Sequence, residues 1–218
     1  MTIDNDDLLN SIIASLGRID TISATEIPGI DLYMDQLTSF MEERLKKTTR
    51  HPESDKILTK TMINNYAKND LLPPPVKKKY SRDHIILLIF IYYFKSVLSI
   101  NDIQTLLEPL KERFQNTDQE FNLSDIYNTC FDLQKEELDP LIEDIKKKYE
   151  RSLSTFEDNG LNEDEKKKMQ MFSFIIQMLF DVYIKKLLME KILDNMVKDD
   201  EKAAGKKQKS DKKNKTKE

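Results

Sequence analysis

The side chains best suited to chemistry in this 218-residue sequence are amides, hydroxyls and lysines clustered between residues 59 and 82. Asn64 and Asn65 stand side by side, and an asparagine amide can donate to and accept from one adenine edge at the same time. Cationic and hydroxyl side chains that suit phosphate contacts surround this pair, namely Thr59, Lys60, Thr61, Tyr66, Lys68, Lys77, Lys78, Lys79, Tyr80 and Arg82. Together these residue types predict a surface that binds double-stranded DNA.

The same residues also have structural interpretations. Asn64 and Asn65 can lie on an exposed helix face that contacts nothing, and Tyr66 can pack against Leu71 instead of reaching a phosphate. We interpret His84 as a packing or capping residue and Cys130 as a small buried residue.

Charge is distributed unevenly along the chain, although the formal net charge is only −4. Residues 44–82 contain eleven Lys and Arg against three acids, whereas residues 1–43 contain one Arg against nine acids. Clustered cations bind phosphate backbones because binding releases condensed counterions. A charge run is also typical of a solvated surface, so the block alone leaves both interpretations open.

Metal, thiol and acid-base chemistry have few candidate residues. The sequence has one cysteine, Cys130, and two histidines, His51 and His84, which excludes a disulfide framework and a zinc site built from Cys and His. Neither histidine has an evident catalytic partner, and the carboxylates are scattered over helical faces. We therefore expect no enzyme and no cofactor.

Targeting and membrane signals are also missing from the pattern. Asp4, Asp6 and Asp7 occupy the region in which a secretory signal would carry Lys or Arg. The best candidate for a membrane span, Ile85–Phe94, has ten apolar residues, whereas a span needs ~20. We expect a cytoplasmic protein that does not enter the membrane.

Few turn residues and regular apolar spacing predict an almost entirely helical chain, with four glycines against 34% charged residues. Thr59 can cap a helix that ends near Asn69, and the prolines at 73–75 prevent the helix from continuing. An extended basic strip over 76–80 then leads to an apolar helix capped by Ser81. This order of elements is typical of a winged helix-turn-helix, whose second helix enters the major groove of DNA.

The element pattern predicts four regions. Residues 1–29 form an N-terminal helical arm, 30–115 the winged helix-turn-helix, and 116–197 a C-terminal helical region that contains a long dimerisation helix. Residues 198–218 form a Lys-rich tail without an apolar anchor, which we expect to be disordered. The predicted fold class is all-α, with at most a minimal β wing.

The string LTKTMINNYAKNDLLPPPVKKKYSRDHIILLIFIYYFKSVLSINDIQTLL resembles the DNA-binding half of MerR-type transcription regulators. Tyr66 falls on the second tyrosine of that family's recognition helix, and Tyr80 falls at the start of its third helix. The resemblance implies DNA binding through the helix after Thr59 and a basic wing. Two positions depart from the family pattern, because Asn64 replaces an arginine and Asp70 replaces a glycine.

A more specific resemblance covers roughly residues 25 to 115. The combination of IDLYMDQLTSF with LTKTMINNY and PPPVKKKYSRDH is similar to the bacterial family known as domain of unknown function 1836. That family is described by a MerR-like helix-turn-helix, so this resemblance also implies DNA binding and names no signal.

The C-terminal half carries apolar residues at heptad spacing, which favours a seam between two helices. The seam residues are Phe172, Ile175, Leu179, Val182, Met189, Leu193 and Met196. Dimerisation through a C-terminal helix is also what the MerR resemblance implies. Further apolar residues widen this surface, so part of the helix must pack on its own chain. A pocket for a small hydrophobic effector, lined by the methionines and aromatic residues, is an alternative interpretation to core packing.

These patterns predict a sequence-specific transcription regulator that binds double-stranded DNA as a homodimer. The alternative is a non-enzymatic protein-interaction module that keeps the winged-helix scaffold. Charge reversal at Lys77 and Lys78 separates the two, because it removes DNA binding only in the first case.

Overall fold

A computed structural model describes residues 5–16, 22–114, 121–157 and 160–215. Its helices are α1 (Asn5–Leu16), α2 (Met34–Leu45), α3 (Lys60–Lys68), α4 (Arg82–Phe94), α5 (Ile100–Lys111), α6 (Leu123–Leu153) and α7 (Glu163–Lys215). Two short strands, β1 (Leu32–Tyr33) and β2 (Lys79–Tyr80), pair antiparallel. The fold is mostly α-helical with a minimal two-stranded sheet, as the sequence predicts.

Helix α4 lies at the centre of the main hydrophobic core. Its eight residues from His84 to Ile91 are all buried. Ser81 occupies the N-cap position, and its backbone N–H donates to His84 Nδ1 over 2.9 Å. A helix that is apolar on every side needs partners on every side, and helices α2, α3, α5, α6 and α7 all contribute side chains to the same core.

The main core crosses the boundary that the sequence predicts after residue 115. Tyr127 and Phe131 of α6 and Leu193 of α7 are buried in the same cluster as α4. Residues 116–120, which include the start of the predicted C-terminal region, lie outside the described residues.

A second, smaller cluster joins the far end of the α6–α7 hairpin to α1. Ile145 and Tyr149 of α6 pack with Phe174 of α7 and Ile13 of α1. At the end of α6, Gln170 Nε2 donates to the Leu153 carbonyl over 2.6 Å. The predicted N-terminal arm therefore contributes to both clusters. Helix α1 packs in the smaller cluster, whereas residues 22–29 contribute Ile22, Ala24 and Ile27 to the main core.

Two features differ from the sequence-based predictions. Helix α7 continues to Lys215 through the segment predicted to be disordered, where Ala203, Ala204 and several lysines are good helix formers that extend a nucleated helix. Residues 216–218 lie outside the described residues. Cys130 is exposed, so the prediction of a buried cysteine was wrong. Among the described helices, none combines the length and the apolar composition of a membrane span.

Candidate nucleic-acid interface

Helix α3 presents one polar face and buries the opposite one. Thr59 caps the helix as predicted, because its Oγ1 accepts a hydrogen bond from the Met62 backbone N–H over 3.2 Å. Ile63 and Tyr66 anchor the helix in the main core. At 100° per residue the exposed positions share an arc of about 140°, and we call this set the α3 face: Lys60, Thr61, Asn64, Asn65 and Lys68.

The α3 face matches the requirements of base and phosphate contacts. Asn64 and Asn65 are exposed, and their side-chain amides have no hydrogen-bond partner within the described part of the chain. The Asn65 carbonyl accepts from Asn69 Nδ2 over 2.8 Å, which closes the end of the helix. Two exposed amides between Lys60 and Lys68 can therefore reach a ligand while the backbone stays fixed.

The junction between β1 and α2 contacts both α3 and the basic strip. Lys60 Nζ forms an ion pair with the exposed carboxylate of Asp35 in the first turn of α2. Two residues before Asp35, the ring of Tyr33 lies under Lys79 Nζ, at 5.2 Å from the ring centroid. Tyr33 and Asp35 are two residues apart, which is at most ~7 Å of chain. Lys60 and Lys79 therefore both contact the same β1–α2 junction.

The basic strip forms a tight hairpin turn, which we call the lysine turn (Val76–Lys79). The Val76 and Lys79 backbones exchange hydrogen bonds of 3.1 and 2.9 Å, and Lys79 also pairs with Tyr33 across the sheet. Lys77 and Lys78 occupy the left-handed region, with φ of 51° and 64°. Two positive φ values at the central residues are typical of a type I′ turn, which favours Asn and Gly. Lysine at both positions costs conformational free energy and places two exposed cations at the tip.

Three predicted contact residues are used inside the protein instead. Tyr66 and Tyr80 belong to the main core, and burial raises the pKa of both phenols. Arg82 Nη2 donates to the Ala24 carbonyl over 2.6 Å, and Arg82 Nε donates to Ser124 Oγ over 3.2 Å. These side chains therefore stabilise the fold beneath the candidate interface. The sequence pattern alone cannot separate them from surface residues, because tyrosine and arginine suit both roles.

A contact at the end of α3 involves Asp70, one of the two positions at which the sequence departs from the MerR pattern that it resembles. Asp70, which replaces a glycine, has φ of 54°, a region that Asp tolerates better than most residues. Lys111 Nζ donates to the Asp70 carbonyl over 2.9 Å and to its carboxylate over 3.1 Å. Burial alone would lower the pKa of Lys111, but hydrogen bonds to Glu108 and Asp70 raise it. Sequence reasoning missed Lys111, since the two residues are 41 positions apart.

His84 lies where β2 leads into α4 and is fully buried, in agreement with the predicted packing or capping role. Its Nδ1 accepts from the backbone N–H of Ser81, and its ring contacts Tyr80 and Phe114 edge-on. Burial lowers the pKa of His84, although the nearby carbonyls of Pro74 and Pro73 and the charge of Asp83 oppose this effect. The ring therefore packs between Tyr80 of β2 and Phe114, next to the N-cap of α4.

The predicted dimerisation residues separate into two groups. Phe172, Ile175, Leu179, Val182 and Met189 are exposed, as a seam between two chains requires. Leu193 is buried and Met196 is packed in the main core of the same chain. These last two residues pack in the core of their own chain, because heptad spacing does not distinguish a seam between chains from a contact within one chain.

More of α7 is exposed than the heptad pattern alone predicts. Nine large apolar residues between 172 and 192 are more than half exposed, and we call them the α7 apolar face: Phe172, Ile175, Leu179, Phe180, Val182, Tyr183, Ile184, Leu188 and Ile192. Single exposed apolar residues are ordinary, but nine on one stretch of a helix are not.

A cavity of about 390 Å³ lies between α1 and α6. Its lining combines apolar and charged side chains, namely Leu9, Asn10, Lys146, Tyr149, Glu150 and Leu153. No methionine contributes to this lining, so the cavity differs from the Met-rich effector pocket that the sequence leaves as an alternative.

Comparison with known proteins gives one match. No curated protein matches the chain, and no solved structure matches it. The family described as domain of unknown function (DUF1836) matches residues 22–130. The matched region contains the α3 face, the lysine turn and the first two core residues of α6, Leu123 and Tyr127. Because this match spans half of the sequence, the chain belongs to the DUF1836 family.

Proposed function

We propose that this protein is a MerR-like winged helix-turn-helix regulator that binds double-stranded DNA. In this proposal the α3 face enters the major groove, and the lysine turn grips the adjacent phosphate backbone. The observation that carries the proposal is the convergence of two basic elements on one junction, through Lys60 with Asp35 and Lys79 with Tyr33.

Each part of the surface has its own task. Asn64 and Asn65 suit bidentate contacts to adenine edges and therefore supply sequence preference. Lys60, Lys68 and the lysine turn suit phosphates, which give affinity and register without sequence information. The strained φ angles of Lys77 and Lys78 support this assignment, since a turn selected only for stability would carry Asn and Gly.

The proposal includes a homodimer formed through the α7 apolar face. Half-exposed side chains of this size leave on the order of 100 Å² each accessible to solvent. A second copy that covers several of them at once would bury a large part of the ~800 Å² per partner that a standard interface buries. A second copy of the chain offers a matching apolar surface, and two copies would hold two α3 faces for two half-sites.

The test is selection of sheared genomic DNA by the purified protein, followed by sequencing, at several salt concentrations. The Lys77→Glu/Lys78→Glu variant removes the cations at the tip of the lysine turn. The Lys167→Glu/Lys168→Glu variant is the control, because it reverses two adjacent exposed lysines near the start of α7.

We expect an enriched inverted repeat with the wild-type protein and with the control variant. The lysine-turn variant should lose this enrichment, and wild-type affinity should fall steeply with salt. Equal enrichment by all three proteins, or none by any of them, would contradict the proposal and favour a protein-interaction module.

A further inference from the structure

The small sheet of β1 and β2 has one buried face and one exposed face. Leu32 and Tyr80, which pair across the sheet, are buried in the main core. Side chains alternate between the two faces of a strand, so the next pair along the sheet, Tyr33 and Lys79, faces away from this core. Tyr33 is 52% exposed. The outer face of the sheet therefore carries an aromatic ring beside a cation.

Val76 extends this outer face on the other side of Lys79. The two residues form a bridge across the lysine turn, and residues that pair directly across antiparallel strands place their side chains on the same face. Val76 is 54% exposed, and neighbouring strands lie ~4.8 Å apart. We call the three neighbours the wing row: Tyr33, Lys79 and Val76.

The composition of the wing row differs from that of a face that meets only water. An antiparallel sheet with one solvated face normally carries polar residues on that face. In the wing row two large apolar side chains flank one cation, and about half of each is exposed. Lys79 Nζ lies 5.2 Å from the centroid of the Tyr33 ring, so the ring also restrains the cation. This arrangement fits a partner that is apolar on both sides of a negative charge.

We propose that the wing row binds the sugar–phosphate backbone of DNA, with Lys79 on a phosphate and with Tyr33 and Val76 against the deoxyriboses on its two sides. A DNA strand presents sugar, phosphate and sugar in this order, and the carbon–hydrogen faces of deoxyribose are apolar. This inference rests on the DNA binding proposed above. It assigns a role to Tyr33 and Val76, which the DNA contacts predicted from the sequence do not include.

The charges around the wing row favour a polyanion as the partner. The tip of the lysine turn follows Val76 directly and adds two exposed cations. On the other side of the row, the exposed carboxylates of Asp31 and Asp35 lie within two residues of Tyr33, and that of Asp35 is paired with Lys60 of the α3 face. The row therefore lies between the two basic elements, where a backbone that contacts both of them would pass.

A purely structural role for the row is the alternative. Cross-strand pairs stabilise a sheet by themselves, and the ring of Tyr33 can restrain Lys79 without contacting DNA. The two roles differ in their dependence on salt. Loss of a phosphate contact by Lys79 would make the log–log salt slope less steep by about 0.9, whereas loss of an apolar sugar contact weakens binding equally at every salt concentration.

The test uses the full chain and a 30-base-pair duplex of random sequence, with fluorescence anisotropy over a salt series. Tyr33→Ala removes the ring and keeps the backbone N–H that donates to Gln36 Oε1 over 2.9 Å. Val76→Thr keeps the β-branched shape and replaces a methyl group with a hydroxyl. Phe121→Ala is the matched control, because Phe121 is 48% exposed and its ring also lies beside a cation, Arg113, at 5.8 Å.

We expect Tyr33→Ala to bind about tenfold more weakly than the wild type with an unchanged salt slope, because on the order of 100 Å² of ring surface is no longer covered by DNA. Val76→Thr should bind about threefold more weakly. Phe121→Ala should bind within about twofold of the wild type. Circular dichroism of each variant checks that the helices are retained.

Three results would overturn the proposal. A less steep salt slope with Tyr33→Ala would show that the ring only positions Lys79. Wild-type affinity in Tyr33→Ala or in Val76→Thr would exclude the sugar contact, and an equal loss in Phe121→Ala would show that the effect is not specific to the row.

The Lys77→Glu/Lys78→Glu variant separates this question from the proposed function. Duplex binding that is lost in this variant but retained in Tyr33→Ala would contradict only the role of the wing row. Absence of duplex binding by the wild-type protein would contradict the proposed function and the wing row together.

Discussion

Helices α4 and α7 are both rich in large apolar residues, yet the chain buries only one of them. All residues of α4 from His84 to Ile91 are buried. In α7 the side that meets α6 is covered, while the α7 apolar face remains exposed. An apolar helix sequence therefore does not by itself decide burial, and the exposed side chains of α7 are those that the proposed homodimer would cover.

The largest expected effect comes from truncating a side chain in α4. Leu88→Ala should lower the free energy of unfolding by about 3 kcal/mol, because it removes a fully buried side chain and leaves a cavity. Leu188→Ala makes the same chemical change at an exposed position of α7 and, measured at protein concentrations too low for self-association, should cost below about 0.5 kcal/mol. Urea denaturation of both variants measures the difference, and similar losses would contradict the contrast between the two helices.

A charge on the α7 apolar face should dissociate the proposed homodimer. Leu179→Glu places a carboxylate at the middle of the face and should weaken self-association by at least about 30-fold, since a buried unpaired charge is costly. Leu133→Glu on α6 is the control, because Leu133 and Leu179 are both 58% exposed. Light scattering coupled to size exclusion reports the mass. A dimer that survives Leu179→Glu, or a monomeric wild type, would exclude this interface.

Acid should destabilise the protein through His84, which is buried in the first turn of α4. Burial lowers the pKa of His84, so below pH ~6.5 the unfolded chain binds a proton that the folded protein resists. The His84 contribution is fully present above this pH and should decrease by up to about 1.4 kcal/mol per pH unit as the pH falls.

His84→Gln keeps an acceptor for the Ser81 N–H, as in a capping box, and removes the titration. His51→Gln makes the same chemical change at the other histidine, which is exposed, and serves as the control. Urea denaturation at pH 7.5, 6.5 and 5.5 compares the three proteins. A pH slope that His84→Gln leaves unchanged would show that another group titrates.

The smallest expected change concerns the lysine turn. Lys77→Asn/Lys78→Gly supplies the residues that a type I′ turn prefers and should raise the free energy of unfolding by about 1 kcal/mol. Lys77→Gln/Lys78→Gln removes the same charges without relieving the backbone, so it should not stabilise the protein. Both variants should lose DNA affinity to a similar extent. A gain in stability from the glutamine variant would mean that charge repulsion, and not the backbone, strains this turn.

The sequence predicts the local elements of the interface well, because their signals lie within a few residues. Thr59 accepts the capping hydrogen bond expected of it, and the ten-residue apolar run marks the central helix. Arg82 and Lys111 have internal roles that depend on partners far along the chain. Spacing within one helix cannot reveal such partners.

The same limit explains the C-terminal half. Heptad spacing predicts one continuous seam from Phe172 to Met196, but Leu193 is buried in the main core, which side chains from five other helices also form. Composition predicts disorder after residue 197, since it takes no account of the helix that precedes this segment. Tertiary contacts and helix propagation decided both outcomes.

Helix α7 also determines how the protein should respond to heat. Phe174 packs in the smaller cluster and Leu193 in the main core, about 28 Å apart along one uninterrupted helix. Unfolding of α7 in one cluster would disturb the helix that packs in the other cluster. We therefore expect the two clusters to melt together as a single cooperative unit, with equal calorimetric and van't Hoff enthalpies, although they are separate in space and one of them lies outside the matched family region.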